Sequence, residues 1–332
     1  MNITIKQVRG NSGADIWADN LCEGLHQSGH KCSVNLYSLA YQFLPALARI
    51  QQTSSASDIV QGNSWNAFAF KSEAPLVVTA HHVIDDPLFN PHKTLLQNGY
   101  HRWIYRCEGK SLNLADAVIC VSNFTRKRLK EVYGISDAHV IHNGIDTSVF
   151  KPKVPGNPPR IPEGKTVIFF AGNLSKRKGG DLLPPIMEQL GDRFVLLLAT
   201  TNDSQKLTPC RTIQNLGNLT PAQLVDTYNR CDIFLSASRL EGFGLSVAEA
   251  MACGKPVVAT NCSSLPELVV DGKGGFLCKM DDVKDFVKKI RHLAGDEVLR
   301  REMGRFNRKR AEELFTLEKM VNNYIGVYQA LR

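Results

Sequence analysis

The chain lacks most of the patterns that announce a chemistry. Its nine cysteines are odd in number and scattered, and no two are spaced C-x-x-C. That argues against a zinc ribbon or a disulfide framework and for reduced thiols, with Cys120 and Cys231 inside apolar runs. No glycine run has the G-x-G-x-x-G spacing of a dinucleotide loop, which argues against a nicotinamide dehydrogenase. No apolar run approaches the length of a membrane-crossing helix, and Met1-Asn2-Ile3-Thr4-Ile5-Lys6 has no signal-peptide core. The expectation is a cytoplasmic protein. The balance of 40 Lys+Arg against 32 Asp+Glu gives a net charge of +8 and a pI near 9.0. Yet no Arg-rich arm, zinc spacing or RNA-binding signature is present, so nucleic acid is not the expected partner. Anionic small molecules and an anionic membrane surface fit a basic chain better.

What is present is an ordinary globular balance, 43% hydrophobic and 22% charged over 332 residues, enough for two domains. The charge is uneven: residues 1–150 hold 13 Lys+Arg and 12 Asp+Glu, and residues 151–332 hold 27 and 20. The chain opens as strand (2–8), glycine loop, helix, strand (32–37). Short strands follow at 58–60, 76–80 and 117–121, with a helix over 39–54. A second α/β half begins at Val167 and has further strands at 194–199, 212–213, 231–235, 255–260 and 276–278. Between the halves, residues 151–164 carry five prolines, a stiff linker. Residues 1–150 are one domain, 165–315 the other, and a last helix covers about 316–332. A helix over 92–114 interleaves Tyr100, Trp103 and Tyr105 with Arg102, Arg106 and Lys110. Its aromatics suit a core-facing stripe or an interfacial face on acidic lipid, with Arg126-Lys127-Arg128 as a second basic cluster.

Two stretches stand out. Arg239-Leu240-Glu241-Gly242-Phe243-Gly244-Leu245 leads into a helix carrying Glu249, between the strands at 231–235 and 255–260. Glycines there let a backbone approach a ligand, and the helix start offers free amides to a phosphate. The second stretch, Gly172-Asn173-Leu174-Ser175-Lys176-Arg177-Lys178-Gly179-Gly180, is a cationic loop after the strand at 167–171. It reads as a diphosphate clamp or as a solvated basic turn. Ser246-x-x-Glu249 also reads as a capping box, which would make Glu249 structural.

Glu241 and Glu249, eight positions apart, match the E-x7-E motif of retaining glycosyltransferases with the GT-B fold. Glu241-Gly242-Phe243-Gly244 and Glu249-Ala250-Met251-Ala252-Cys253-Gly254-Lys255-Pro256-Val257-Val258-Ala259-Thr260 resemble the large family 4 of those enzymes. The resemblance covers nearly the whole chain. It implies two Rossmann-like α/β/α domains facing each other across a cleft, with the C-terminal helix crossing back to the first domain. It implies transfer of a sugar, with retention, from a UDP- or GDP-sugar to an acceptor hydroxyl in glycan or glycolipid synthesis.

The resemblance also assigns roles. Lys178 would stabilise the departing diphosphate, Glu241 would orient the donor sugar and Glu249 the ribose. His81, after the strand at 76–80, would sit near the reacting sugar. Gly13 would face donor phosphate or acceptor. Phe243, Gly244 and Leu245 would shape the sugar pocket through their backbone, and Leu219 would lie on the loop holding the base. Family members place an arginine where Asn173 stands, and Arg177 is a candidate replacement. No cofactor and no metal are expected, and no D-x-D pair of aspartates occurs. The acceptor would be a glycan or lipid-linked, with peripheral membrane contact. Two carboxylates on one loop and helix cannot flank a sugar as in a hydrolase. A nucleotide-sugar epimerase and a non-catalytic GT-B subunit remain alternatives.

Overall fold

The computed structural model of the chain describes residues 1–10, 13–42, 57–84, 86–87, 95–156, 161, 163–200 and 210–332. It divides into two compact units, Met1–Gly144 with Thr316–Arg332, and Ile145–Phe315. The first contains β1 (Asn2–Val8), α1 (Gly13–Gln27), β2 (Lys31–Tyr37), β3 (Ile59–Asn63), β4 (Leu76–Ala80), α2 (Leu95–Leu114), β5 (Ala117–Cys120), α3 (Asn123–Tyr133) and β6 (Ala138–Val140). The second contains β7 (Thr166–Ala171), α4 (Leu183–Leu190), β8 (Phe194–Ala199), β9 (Ile213–Gly217), α5 (Pro221–Arg230), β10 (Ile233–Ser236), α6 (Leu245–Ala252), β11 (Val257–Thr260), α7 (Leu265–Leu268), β12 (Gly275–Cys278), α8 (Val283–Gly295) and α9 (Glu297–Leu314). The last helix, α10 (Leu317–Ala330), returns to the first unit.

Each unit is built on a six-stranded sheet whose paired strands are all parallel, ordered β2-β1-β3-β4-β5-β6 and β12-β11-β10-β7-β8-β9. Both faces are covered, which is why the strands read as short continuous apolar runs rather than alternating ones. In the first sheet Ile3, Ile5, Ile59, Val77 and Ile119 pack with Trp17, Leu21 and Leu25 of α1 and with Met320, Val321, Tyr324 and Tyr328 of α10. The intervening residues Val60, Val78, Val118 and Cys120 face the opposite layer with Leu112 and Leu129. In the second unit Ile168, Phe170, Leu196, Leu198, Ile233 and Leu235 pack with α4 and α8.

The strand order turns back at one place in each sheet. In the first, β1 lies between β2 and β3. In the second, β7 lies between β8 and β10. The loops leaving the carboxyl ends of these central strands diverge there, so the crevice at that point is where such sheets take ligands.

One expectation meets a different outcome, and two fall largely outside the described residues. Cys22 near the end of α1 and Cys32 in β2 form a disulfide, with Cα atoms 5.4 Å apart, where reduced thiols were expected. Ten residues of sequence separate them, but the tight turn at Gly29 brings the helix end beside the strand. Of the helix expected over 39–54, a single 3-10 turn covers Leu39–Gln42, and 43–54 lie outside the described residues. The prolines at 158, 159 and 162 also lie outside them.

Seating α10 depends on a glycine. A Cβ on Gly144 would stand 2.6 Å from Leu317 Cα and 2.7 Å from the Thr316 carbonyl oxygen. Both are backbone atoms and cannot swing aside. Gly144→Ala is expected to destabilise the first unit by about 1–3 kcal/mol, the usual cost of overpacking, read as a lower urea midpoint at unchanged m-value.

Candidate functional site

The charged residues singled out in the sequence come together in the second unit, on the loops after β7 and β10. The β7 loop turns at Gly172 and forms one 3-10 turn, Lys176–Lys178. Ser175 caps that turn through the Lys178 amide, and Asn173 Oδ1 accepts from the Ser175 amide (3.3 Å) and hydroxyl (2.6 Å). Asn173 is exposed and braces the loop rather than adding charge to it. Gly179 ends the turn with φ +71°, and a Cβ there would lie 2.1 Å from the Ala237 carbonyl oxygen. Only glycine lets this loop lie against the end of β10.

The second loop brings Glu241 to Lys178. Lys178 Nζ donates to Glu241 Oε1 at 2.5 Å, Ser238 Oγ donates to the same oxygen at 2.8 Å, and Arg177 Nη1 lies 3.9 Å from Oε2. Burial opposes the charged form of Glu241, but the Lys178 and Arg177 cations outweigh it and hold the carboxyl below its ordinary range. Burial and the neighbouring Arg177 pull the Lys178 ammonium down further than Glu241 holds it up. The Glu241 amide donates to Ser263 Oγ (3.0 Å), and Ser264 Oγ lies within reach of the carbonyls of Glu241 and Phe243. The Phe243 ring is buried edge-on against Phe315, 5.5 Å between centroids.

Glu249 is not a cap. α6 begins at Leu245 behind Gly244, which takes a left-handed conformation (φ 105°) and makes no side-chain cap bond. The capping-box reading misplaced the helix start, because a glycine at a positive φ sets the cap position two residues before Ser246. Among the described residues the amides of Gly244, Leu245 and Ser246 meet no acceptor. Glu249 Oε2 instead accepts from the Tyr228 hydroxyl at 2.7 Å, on α5. Burial of its carboxyl pushes the pKa of Glu249 up to about 7, against the lowering pull of the Tyr228 hydrogen bond. Leu219 is half-buried just after the Gly217 turn (φ +69°), ahead of Thr220, which caps α5 in a capping box with Gln223.

The residue that joins the two loops carries no mark in the sequence. Arg239 is buried, its Nη1 and Nη2 donating to Asp181 (2.7 and 2.9 Å), Nε to Asp281 (2.7 Å) and Nη1 also to the Lys176 carbonyl (2.5 Å). Its amide donates to the Arg177 carbonyl, and Arg177 Nη1 donates back to the Leu240 carbonyl at 2.9 Å. No spacing signals these pairings, since Asp181 lies 58 residues away. Tyr228 is equally hidden, an aromatic in a helix with an ordinary apolar stripe.

Gly13 and His81 belong to the first unit. Gly13 is the exposed first residue of α1. His81 follows β4 with its ring edge-on to Trp17, centroids 4.7 Å apart, and burial lowers its pKa to about 4, so the imidazole is neutral. His82 lies against Trp65 instead, 5.5 Å away. Among the described residues no three His, Cys, Asp or Glu side chains are grouped to hold a metal ion, and no helix is long and apolar enough to cross a membrane.

Known proteins bear on this arrangement. Residues 157–310 match the family model of glycosyl transferases group 1, and residues 33–149 that of glycosyltransferase family 4. The chain is 30% identical over 223 residues to an uncharacterized glycosyltransferase of Methanocaldococcus jannaschii, covering 65% of this chain and 60% of that protein. It is 26% identical over 327 residues to the alpha-maltose-1-phosphate synthase of Mycolicibacterium smegmatis, covering 87% and 83%. It is 29% identical over 257 residues to the D-inositol 3-phosphate glycosyltransferase of Corynebacterium aurimucosum, covering 70% and 61%. The first and last of these matches span less than two thirds of the relative's length. Among solved structures, sucrose-phosphate synthase from Thermosynechococcus elongatus superposes with a TM-score of 0.86 at 18% identity, over 99% of both chains. Anabaena HepE in complex with UDP and glucose gives 0.77 at 18% identity, over 99% and 100%. The fold is therefore the two-domain α/β GT-B fold.

The raised pKa of Glu249 fixes a pH dependence. An acid whose folded pKa exceeds its unfolded value stabilises the fold fully below the unfolded pKa and loses that contribution as pH rises through the folded one. Relative to Glu249→Gln, the wild-type melting temperature should fall as pH rises from about 4.5 to about 7, then run parallel above it. Parallel curves throughout would mean the carboxyl is not buried as described.

Proposed function

The chain belongs with the GT-B, family 4-like glycosyltransferases, and from that premise we propose that it transfers a sugar, with retention and without a metal, from a UDP- or GDP-sugar to an acceptor hydroxyl. The observation that carries the reading is the Lys178–Glu241 pair, set where the β7 and β10 loops diverge at the turning point of the second sheet. Lys178, Arg177 and the unpaired amides at 244–246 form a preorganised positive wall for a departing diphosphate. Stabilising the charge of a leaving group is usually the main source of rate enhancement in a site of this kind. Asn173 supplies no cation, and Arg177, beside Glu241, takes that part. Glu241 accepts from hydroxyls of the donor sugar while anchoring Lys178. Glu249, held by Tyr228, accepts from the ribose hydroxyls. Gly244 and Leu245, with the Phe243 backbone, floor the sugar pocket. Leu219 flanks the base, Gly13 sits by phosphate or acceptor, and His81 lies at the reacting sugar.

Three variants test this. Lys178→Ala should lower turnover on a confirmed donor by roughly 100-fold, as loss of one such donor group does. In calorimetric titrations Glu249→Ala should weaken free nucleotide and nucleotide sugar alike, because both carry the ribose. Glu241→Ala should spare the nucleotide and penalise the nucleotide sugar. Equal losses in Glu241→Ala would refute its assignment to the sugar.

The acceptor is a glycan or a lipid-linked hydroxyl, and the first unit supplies a face for an anionic membrane. Arg102, Arg106 and Lys110 are exposed along α2, with Trp103 43% exposed among them, and Arg126 and Lys127 are exposed on α3. Arg128 is instead engaged by Asp86 (3.1 Å) and Glu131 (2.5 Å). Flotation with anionic liposomes should fall as salt shortens the Debye length below ~10 Å. Equal recovery with neutral liposomes would remove the membrane from this reading.

A further inference from the structure

Among the described residues, two that are not glycine take a left-handed backbone, Ser263 (φ 50°) and Asp281 (φ 62°). Such residues are uncommon, and strained ones gather at functional sites. One follows β11 and the other β12, and both hold the loop after β10. Asp281 Oδ1 accepts from Arg239 Nε at 2.7 Å, and Ser263 Oγ accepts from the Glu241 amide at 3.0 Å. Ser263 belongs to the turn Cys262-Ser263-Ser264 between β11 and α7, and all three of its side chains reach that loop. Cys262 Sγ lies 3.2 Å from the Ser238 carbonyl oxygen and 3.3 Å from that of Arg239. Ser264 Oγ lies 3.1 Å from the Glu241 carbonyl oxygen and 2.9 Å from that of Phe243. Ser264 stands at the N-cap of α7, where a serine ordinarily accepts from the helix's own amides, yet it makes no such bond. Its buried hydroxyl is turned to the neighbouring loop instead.

A trans peptide is planar, with its N–H and C=O on opposite sides, so holding either group orients the plane. The plane between Leu240 and Glu241 is held at both ends. Ser263 takes its N–H, and Arg177 Nη1 donates to its C=O at 2.9 Å. The plane between Glu241 and Gly242 is held at its C=O by Ser264. These two planes flank the Glu241 α-carbon, so they set the direction in which its side chain leaves the backbone. The carboxylate then meets Lys178 and Ser238. The plane between Phe243 and Gly244 has its C=O on Ser264, which turns the Gly244 N–H the opposite way. That amide meets no acceptor among the described residues.

We propose that Ser263 and Ser264 are positioning residues of the donor site: Ser263 aims the Glu241 carboxylate at the donor sugar, and Ser264 aims the Gly244 amide at the diphosphate. The inference rests on the sugar-transfer reading and adds to it two residues that act through the backbone of the loop they hold. Glycine would take the backbone conformation of Ser263 without the steric cost of a Cβ. Ser263 is partly exposed, so filling the core does not account for its side chain either. What serine has and glycine lacks is the hydroxyl, and that hydroxyl is bonded to Glu241. Ser264 is 0% exposed and its oxygen lies on two carbonyls of the same loop, so the loop and the turn move as one piece.

The test uses the full chain. Ser263→Gly allows the same backbone and removes the acceptor. Its melting temperature should equal or exceed that of the wild type, while hydrogen exchange at the Glu241 amide speeds up about tenfold, the change for one hydrogen bond. Calorimetry with UDP and GDP, and with UDP-glucose and GDP-mannose as sugar probes, should show unchanged affinity for the nucleotide and about tenfold weaker binding of its sugar. In a Glu241→Ala background Ser263→Gly should cost little more, since the two residues act as a unit. Ser264→Ala should weaken nucleotide and nucleotide sugar alike, because both carry the diphosphate. Ser264→Cys keeps a weak donor of similar size and should show the same pattern in smaller degree if Ser264→Ala does not fold. Unchanged exchange at the Glu241 amide in Ser263→Gly, or a lower melting temperature with sugar affinity intact, overturns the role of Ser263. Unchanged nucleotide affinity in the Ser264 variants overturns that of Ser264. If the wild type binds neither nucleotide, the transfer reading falls and the role of Ser264 with it. Exchange at the Glu241 amide, which needs no ligand, then decides whether Ser263 holds Glu241.

Discussion

A buried guanidinium holds the second unit's charged loops in register. Arg239 stands behind Glu241, and its partners, Asp181, Asp281 and the Lys176 carbonyl, lie on the loops it must join. Burying such an ion costs several kcal/mol, and close hydrogen-bonded partners offset the cost; removing one partner of a buried pair costs about 3–5 kcal/mol. The loops are therefore fixed relative to each other to the precision of those bonds. Asp281 takes a left-handed backbone (φ 62°) to reach Arg239, a conformation aspartate tolerates better than most residues. The reciprocal bonds between Arg177 and the 239–240 backbone finish the seam. Without this frame, Lys176, Arg177 and Lys178 would be three like charges on a turn, free to splay into water. With it, Lys178 is drawn inward onto Glu241.

The sheets are legible in the sequence because both faces are covered. Each strand is a short apolar run, and glycine or a cap residue marks where many of them hand over to a helix. β6 is hard to see because Ala138-His139-Val140 is three residues long with an exposed histidine in the middle. The charged loops are legible from their position after strands, but not their wiring. Whether Lys178 meets solvent or Glu241 depends on Gly179 lying against Ala237, a contact across two strands. The start of α6 is easily misplaced because a serine followed by a glutamate at capping distance outweighs a glycine whose left-handed backbone no composition reveals. The Cys22–Cys32 pairing follows from the helix-turn-strand geometry around Gly29, to which a cysteine tally is blind.

The C-terminal helix shows how the first unit manages its polar interior. Strand positions that would be apolar in a simpler sheet hold Gln61 and Thr79, and the hydroxyls of Tyr328 and Tyr324 meet them. Each phenol has a large apolar body and one polar tip, so it fills the core and satisfies the sheet together. This pairing reaches as far as the tyrosines reach. Toward the carboxyl ends of the strands the helix no longer covers the face with hydroxyls, and Trp17 of α1 covers it instead, leaving Gln7 Oε1 and Asn63 Oδ1 enclosed without partners among the described residues.

The two units thus solve one problem with different chemistry. Each exposes the carboxyl ends of parallel strands where the strand order turns back. The second unit carries most of the net positive charge and gathers cations, held by carboxylates, into an environment suited to phosphate. The first instead encloses the side-chain oxygens of Gln7 and Asn63 without partners among the described residues, and an uncharged imidazole at His81. Both arrangements cost stability in the free protein, one by crowding like charges and one by leaving buried polar atoms unpaired. Large apolar cores in each unit offset that cost. A ligand that neutralises the cations or completes the hydrogen bonds returns it as binding energy.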